Sequence, residues 1–426
     1  MFARFIPCSI LALVPTIATL FLSTSLSNTA FAANLCVTQD GGRGCYSSIG
    51  AAVAAAAPND TIRVSEGTYG EDVIIGKPLS LVGAGQGRTI IDATGKANGV
   101  YVDGLDYRGL STVSVSGFTI QNANFEGVLV TNAAAITIAN NQVVNNDRSL
   151  DSASSACPGQ PSFETAEGFD CGEGIHLNGV HQSTVTMNTV EHNAGGILLS
   201  DDTGPTYSNL ISGNEVSENT FDCGITLASH SPALIAGSST PLGLWSNTIT
   251  GNHSFRNGLA GAGAGIGIFD SVPGASNHSN VVIGNRINDN GQPGVSLHSH
   301  TPGQNLNDNI IVGNTISGNG KDTADAATPG TTGINVFGVS PISGTIIAYN
   351  VINNEVDDVV VNTQAQVDVH FNRLLGGGFG VNNLGAGTVS ATENWWGCAQ
   401  GPANNGCSRT AGSDVLFTPW EVRSLE

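Results

Sequence analysis

The sequence predicts an all-β protein, a right-handed parallel β-helix solenoid, and three observations carry that prediction. The first is composition. The chain has 426 residues, of which 56 are glycine, 40% are hydrophobic, 11% are charged and 6% are aromatic. Few charges together with abundant Val, Ile, Thr and Asn favour an all-β repeat protein over a helical enzyme. The other two are an asparagine-pair unit and a Gly-(Ile/Val) step, which both recur along the chain.

The asparagine pairs, five positions apart, mark sharp turns. Asn and Gly tolerate the left-handed backbone that such turns need. If coils stack, Asn side chains at one level can hydrogen-bond those above and below. An antiparallel sandwich would need hairpin signals and gives no reason for Asn in fixed register. The pairs are Asn141/Asn146, Asn188/Asn193, Asn214/Asn219, Asn252/Asn257, Asn285/Asn290 and Asn314/Asn319, with degenerate copies at Asn350/Asn354 and at Asn372.

The Gly-(Ile/Val) step that follows each pair is predicted to open a short strand with Ile, Val and Leu inside and polar residues outside. Aligning the coils on this glycine places the residue four positions later in one column on the stacked coils. That column contains Thr131, Asn178, Ser200, Ala228, Phe269, His298 and Phe337.

Residues 1–32 are predicted to be a signal peptide, with Arg4, an apolar run from Ile10 to Leu22, and Ala30-Phe31-Ala32 at the cleavage site. A membrane anchor is the alternative, but the run is short and no second apolar segment follows. Residues 33–426 are then one β-helix domain with a helical cap at 47–57, a loop insertion at 147–173 and a C-terminal cap at 390–426. The protein is expected to be secreted, to the extracellular space or the periplasm.

The cysteines fit an oxidising compartment. Three short-range disulfides are predicted, Cys36–Cys45, Cys157–Cys171 and Cys398–Cys407, which leaves Cys223 as a buried thiol. The absence of CxxC spacing argues against a zinc site. The net charge of −20 disfavours nucleic acid as a partner, and it disfavours a polyanionic sugar unless a cation such as Ca²⁺ mediates the contact.

Two segments resemble pectate-lyase-like and sugar-hydrolase β-helix proteins. One runs from Asn59 to Gly85 (NDTIRVSEGTYGEDVIIGKPLSLVGAG), and the other is the ending Glu393-Asn-Trp-Trp-Gly-Cys398 followed by Trp420. The resemblance implies the solenoid fold and a polysaccharide or glycan partner. It transfers no activity, because this fold hosts lyases, hydrolases, epimerases, transferases and adhesins. The motifs of polygalacturonases and the Arg-rich motif of pectate lyases are absent.

The candidate site lies where the aligned strands end. Consecutive coils carry acids and imidazoles there, with Phe269 and Phe337 beside them to stack against sugar rings. Coils ~4.8 Å apart would let Asp202 touch His230 and would separate Asp202 from Asp270 by ~10 Å. The candidate catalytic residues are Asp202, His230, Asp270, His298 and His300, and the candidate substrate-binding residues are Asp201, Phe269, Phe337 and His176.

This pattern suggests an inverting glycan hydrolase, in which two carboxyl groups ~6.5–9.5 Å apart leave room for a water. One carboxyl would protonate the leaving oxygen and the other would activate the water. A lyase or epimerase with a histidine base and Ca²⁺ held by Asp201, Asp202 or Asp270 is the enzymatic alternative. A non-catalytic glycan-binding or cell-surface protein is the third hypothesis, since polar residues at strand ends are common turn formers.

Overall fold

A computed structural model describes residues 32–150, 156–164, 171–230, 242–260, 263–324, 326–402 and 406–424. The predicted signal peptide, apart from its last residue, lies outside this part of the chain. Within it, no helix is long and apolar enough to cross a membrane.

The described strands pair in parallel, coil upon coil, which excludes an antiparallel sandwich. Along the chain, each coil passes through three sheets in the same order. Sheet 1 contains Asn34–Val37, Asp60–Val64, Leu79–Gly83, Val113–Ser116, Thr137–Ala139, Thr184–Thr186, Leu210–Ser212, Thr248–Thr250, Val281–Ile283, Ile310–Val312, Ile346–Ala348, Val367–His370, Val389–Ser390 and Val415–Leu416. Sheet 2 contains Gly67–Tyr69, Thr89–Asp92, Thr119–Gln121, Gln142–Val144, Thr189–Glu191, Glu215–Ser217, His253–Phe255, Arg286–Asn288, Thr315–Ser317, Val351–Asn353 and Arg373–Leu374.

Sheet 3 completes each coil and carries the candidate site. It contains Val73–Ile75, Val100–Asp103, Val128–Thr131, Glu173–Asn178, Gly195–Ser200, Ile225–Ser229, Ile266–Asp270, Val295–Ser299, Thr332–Gly338, Asp357–Asn362, Phe379–Asn383 and Arg409–Gly412. A short sheet 4 follows it in three coils, with strands Thr206–Tyr207, Leu244–Trp245 and Asn277–His278.

The N-terminal cap is the α-helix Ile49–Ala55, inside the predicted range 47–57, preceded by a 3-10 turn at Gly42–Gly44. Ser48 caps it, because its hydroxyl accepts from the Ala51 amide at 3.2 Å. The Glu71 carboxylate accepts from the amides of Ile49 and Gly50, so the first helical turn is tied to an early coil. Ile49 and Val53 face the core. At the other end, the fully buried Trp396 packs into the same core.

The predicted column of sheet 3 residues is confirmed residue by residue. Thr131 pairs with Asn178, Asn178 with Ser200, Ser200 with Ala228, Ala228 with Phe269, Phe269 with His298 and His298 with Phe337. The glycine of the step is required by close approach: a Cβ at Gly265 would lie 2.6 Å from the Gly294 carbonyl oxygen and 2.7 Å from Asn290 Nδ2. Only glycine lets the next coil sit that close.

The asparagine pairs form two buried ladders along the corners on either side of sheet 2. Asn214 shows the pattern, since its side chain donates to Asn252 Oδ1 at 2.9 Å and accepts from Asn188 Nδ2 at 3.0 Å. One predicted rung is wrong: the partner of Asn319 is Glu355, whose Oε1 accepts from the Asn319 amide at 2.8 Å, and not Asn354. Asn350 and Glu355 are five positions apart, as in the asparagine pairs. The spacing of the repeat is therefore kept here, but glutamate replaces the second asparagine.

The three predicted disulfides are present, and Cys223 is a free buried thiol. Their Cα–Cα separations are 4.7 Å for Cys36–Cys45, 5.3 Å for Cys157–Cys171 and 5.4 Å for Cys398–Cys407. The middle bridge ties the described part of the insertion at 147–173 to the start of a sheet 3 strand.

Candidate functional site

Much of the outer face of sheet 3 is buried, although it points away from the core. His176, Leu198 and Thr226 lie on this face in adjacent strands with 3%, 5% and 1% exposure. Buried polar groups must find hydrogen-bond partners within the protein, so this face contains networks rather than solvated side chains.

The first network joins Asp201, Asp202 and His230 at the end of two adjacent strands. His230 Nδ1 lies 3.2 Å from Asp202 Oδ2, as the predicted contact between these coils requires. Asp201 accepts from Ser229 Oγ at 3.0 Å and from the His230 and Gly243 amides at 2.8 and 2.5 Å. Burial raises the pKa of Asp201, against the opposing effect of these amides.

Asp270 belongs to the next coil and is also fully buried. It pairs in register with Ser229, which places it on the same column as Asp201. Neither carboxylate oxygen of Asp270 accepts a hydrogen bond of ordinary geometry from a described residue. Burial, followed by the Asp201 charge, raises the pKa of Asp270 to about 8, against smaller effects of the Asn305 amide and His230. Asp270 therefore carries a proton at neutral pH.

The remaining predicted residues lie beside Asp270. The Asp270 carbonyl accepts from His300 Nδ1 at 2.6 Å, so this nitrogen carries the proton. Phe269 and His298 meet edge to face, with ring centroids 5.4 Å apart. Phe337 continues the column on the far side of His298 and is partly exposed. Sequence reasoning missed Asp322, whose buried Oδ2 lies 3.9 Å from His298 Nδ1.

His176 lies in a second network, on strands closer to the N-terminus. Its Nδ1 is 3.0 Å from Glu126 Oε1 and its Nε2 is 2.8 Å from Ser200 Oγ. The Glu173 amide donates to Glu126 Oε2 at 2.6 Å, and burial raises the pKa of Glu126 well above its usual range. Sequence reasoning missed Glu126, although one signal was present: glutamate precedes the glycine of the step at both Glu126-Gly127 and Glu173-Gly174.

Ligand atoms suited to a metal ion gather at this second network. Among the described residues, Glu126, Glu164 and His176 each bring one such atom, all within 4.8 Å of one another. Asp201, Asp202 and Asp270 form no such group there, so Ca²⁺ at those three residues stays a hypothesis.

A cavity of about 730 Å³ opens next to the first network. Thr203 lines it and follows Asp202 directly in the chain. The Thr203 amide donates to Asn178 Oδ1 at 2.8 Å, and Asn178 Nδ2 contacts Asp202 Oδ2 at 3.4 Å. The volume is typical of small-molecule sites. The other lining residues are Tyr101, Gly104, Leu105, Asp106, Arg108, Gly109, Asn132 and Phe163.

Comparison with protein families supports the fold. Residues 84–240 match the model described as the right-handed β-helix region. The chain is a right-handed parallel β-helix. Residues 173–344 match a family described as the periplasmic copper-binding protein NosD. Among the described residues of that range, no three ligand atoms of His, Cys, Asp or Glu gather within 4.8 Å of one another without Glu126 and Glu164, which lie outside it. No curated protein matches the sequence.

Several solved structures have a similar chain path at low identity. The A-module of a mannuronan C-5 epimerase from Azotobacter vinelandii is 14% identical, with 85% of this chain and 95% of that chain covered and a TM-score of 0.48. DFA-IIIase from Arthrobacter chlorophenolicus A6, without its lid and in complex with GF2, is 14% identical, with 92% and 99% covered and a TM-score of 0.49. An alginate lyase from Paenibacillus sp. str. FPU-7 is 12% identical, with 90% and 99% covered and a TM-score of 0.33. At these values the similarities carry no argument about activity.

Proposed function

We propose that this chain is a secreted, carbohydrate-active β-helix protein that hydrolyses a glycan with inversion at a site formed by Asp202, His230 and Asp270. The observation that carries the proposal is the register of sheet 3, which brings these residues onto three consecutive coils beside Phe269, His298 and His300. The three disulfides favour export, because such bonds persist in oxidising compartments.

Asp270 has the properties of a general acid. Its pKa of about 8 keeps it protonated near neutral pH, so it can donate to a leaving glycosidic oxygen. Asp202 is the partner base, and His230 beside it orients the carboxylate. Phe269 and Phe337 offer ring surface for sugar packing, with Asp201 and His176 supporting the substrate-binding face.

A cavity of about 730 Å³ is lined by Thr203, which follows Asp202 in the chain, while neither Asp202 nor Asp270 lines it. One observation favours the second candidate function, a non-catalytic glycan-binding protein. Asp202, His230 and Asp270 are at most 2% exposed, which suits structural polar groups as well as catalytic ones. Activity measurements on matched variants separate the two.

The purified protein should be screened against neutral and acidic polysaccharides, with and without a chelator, by reducing-end release. On the substrate found, Asp202→Asn and Asp270→Asn should each lower kcat at least ~100-fold, the usual contribution of a general acid or base. Phe269→Ala should raise KM more than it lowers kcat. Asp368→Asn, which alters an exposed carboxylate on sheet 1, is the matched control and should keep wild-type rates.

Near-normal rates in both Asn variants would place the chemistry elsewhere. Binding of a polysaccharide without turnover, unchanged by either variant, would establish the non-catalytic alternative. Products from an inverting enzyme must appear with the opposite anomeric configuration, which NMR of the early reaction detects. An unsaturated product absorbing in the ultraviolet would instead identify a lyase.

A further inference from the structure

We propose that Glu126, Glu164 and His176 form a binding site for one divalent transition-metal ion on the outer face of sheet 3. The site is separate from Asp202, His230 and Asp270, although it shares His176 with the proposed substrate-binding face, and it does not depend on the proposed function. Its three ligand atoms, two carboxylate oxygens and one imidazole nitrogen, lie within 4.8 Å of one another.

The spacing suits a shared cation. A metal with bonds of about 2.0–2.2 Å to nitrogen and oxygen holds its ligands roughly 3 Å apart. His176 Nδ1 and Glu126 Oε1 are 3.0 Å apart, so one ion can bind both with little movement. Glu173 Oε2, 3.9 Å from the same nitrogen, is close enough to become a fourth ligand after a small rotation.

The orientation of the imidazole supports the assignment. His176 Nε2 lies 2.8 Å from Ser200 Oγ, and a proton on Nε2 donated to that hydroxyl leaves the Nδ1 lone pair facing Glu126. Two acceptors facing each other at 3.0 Å repel unless a proton or a cation lies between them. A histidine that binds a metal typically donates its other ring N–H to a nearby group in this way, which fixes the ring.

Charge gives an independent reason for a cation. Three carboxylates, from Glu126, Glu164 and Glu173, converge on one imidazole, and the first and last are at most 4% exposed. Ionised carboxylates in a buried site repel each other and lose hydration, so the ionised state is costly there. A divalent ion removes that repulsion and keeps the carboxylates ionised, as metal ligands must be.

The framework around the site is rigid. Glu126 directly precedes the step that opens one sheet 3 strand, His176 lies in the next strand, and Ser200 ends the third. Glu164 comes from the insertion, which the Cys157–Cys171 disulfide ties to the beginning of the His176 strand. A mixed carboxylate and imidazole set favours ions such as Zn²⁺ and Mn²⁺, whereas Ca²⁺ prefers all-oxygen sites of six to eight ligands.

Metal binding to the full mature protein tests the proposal. After dialysis against EDTA, isothermal titration with ZnCl₂ and with MnCl₂ should show one equivalent bound, whereas CaCl₂ should bind at least tenfold more weakly. Glu126→Gln and Glu164→Gln should each weaken Zn²⁺ binding by at least about tenfold, because each removes one anionic ligand. Asp202→Asn is the matched control, since it removes a buried carboxylate of the other network, and it should bind Zn²⁺ like wild type.

Glu164→Gln is the deciding variant if Glu126→Gln fails to fold, because Glu164 lies on the insertion and not in a strand. Zn²⁺ should raise the melting temperature of wild type and Asp202→Asn but not that of Glu164→Gln. The proposal is overturned if wild type binds neither Zn²⁺ nor Mn²⁺ at millimolar concentration, or if Glu164→Gln binds them as tightly as wild type. A failed glycan screen leaves this result untouched, so the two proposals fail separately.

Discussion

The asparagine-lined corners and the ends of the sheet 3 strands belong to the same coils but differ in how their buried polar groups are satisfied. At the corners the same residue type repeats, and Asn188, Asn214 and Asn252 bond one another in an unbroken ladder. At the ends of the sheet 3 strands, successive coils place Asp201, Ser229 and Asp270 on one column, and the pKa values of both acids are raised.

The difference distinguishes residues that stabilise the solenoid from residues that are candidates for function. An amide has a donor and an acceptor and no charge, so a stack of identical amides can satisfy itself at every level. A buried carboxylate has no donor unless it is protonated, and stacking carboxylates costs free energy. Residues that break the repeat at such a cost are the natural candidates for function, because local inconsistency in a protein tends to mark functional sites.

The largest effect that would test this contrast is a loss of stability with rising pH. Asp270, with a pKa of about 8 in the folded state, holds a proton that the unfolded chain releases near the ordinary aspartate pKa of 3.8. Between those values the folded state binds more protons, so the free energy of unfolding falls as pH rises, by up to about 1.4 kcal/mol per pH unit for one such group. Burial also raises the pKa of Asp201, Glu355 and Asp358, which adds in the same direction.

Urea denaturation at pH 5, 6, 7 and 8 measures this slope. Asp270→Asn should match wild type best at pH 5, where Asp270 is neutral, and should exceed it in stability at pH 8. The exposed Asp368→Asn should follow the wild-type slope at every pH. A wild-type protein that is more stable at pH 8 than at pH 5 would contradict the contrast, since it would mean that the acids at the strand ends are ionised without cost.

The same contrast explains what the sequence predicted well. The asparagine rungs, the Gly step and the columns follow from periodicity, because one residue type recurs for one backbone reason in every coil. The disulfides followed from closeness in the chain. The column Thr131, Asn178 and Ser200 was therefore placed correctly by counting from glycine alone.

What the sequence did not predict lies where coils differ. Glu126 and His176 are 50 positions apart, with the insertion at 147–173 between them, so no local spacing links them. The contact of Asp322 with His298 depends on how a connection after one strand folds back, which period-2 alternation does not describe. Nor does alternation reveal that the outer face is covered, because a covered polar face and a solvated one share the same pattern.

A smaller effect is expected from breaking one rung of the ladder. Asn214→Ala removes the acceptor of the Asn188 amide and side chain and the donor to the Val185 carbonyl. Each buried group left without a partner costs roughly 1–3 kcal/mol, so we expect a loss of roughly 3 kcal/mol in the free energy of unfolding, nearly equal at pH 5 and pH 8. Asn353→Ala, a partly exposed asparagine on sheet 2, should lose less than about 0.5 kcal/mol. A strong pH dependence of the Asn214→Ala effect would mean that the ladder is not a neutral structure.

The smallest and most specific effect is expected at a ladder position that holds a buried acid instead of asparagine. Glu355 replaces asparagine at a ladder position, its Oε1 accepts from the amide and the side chain of Asn319, and burial raises its pKa to about 7. Glu355→Asn should keep an acceptor for Asn319 and remove the titrating group, so it should stabilise the protein by about 1 kcal/mol at pH 8 and change little at pH 5. Paired urea denaturation of wild type and variant at the two pH values measures the difference. Glu355→Gln is the control, because it removes the charge but keeps the longer side chain. If the glutamine variant gains stability at pH 8 and the asparagine variant does not, charge and not rung geometry governs this position, and the ladder ends at Asn319.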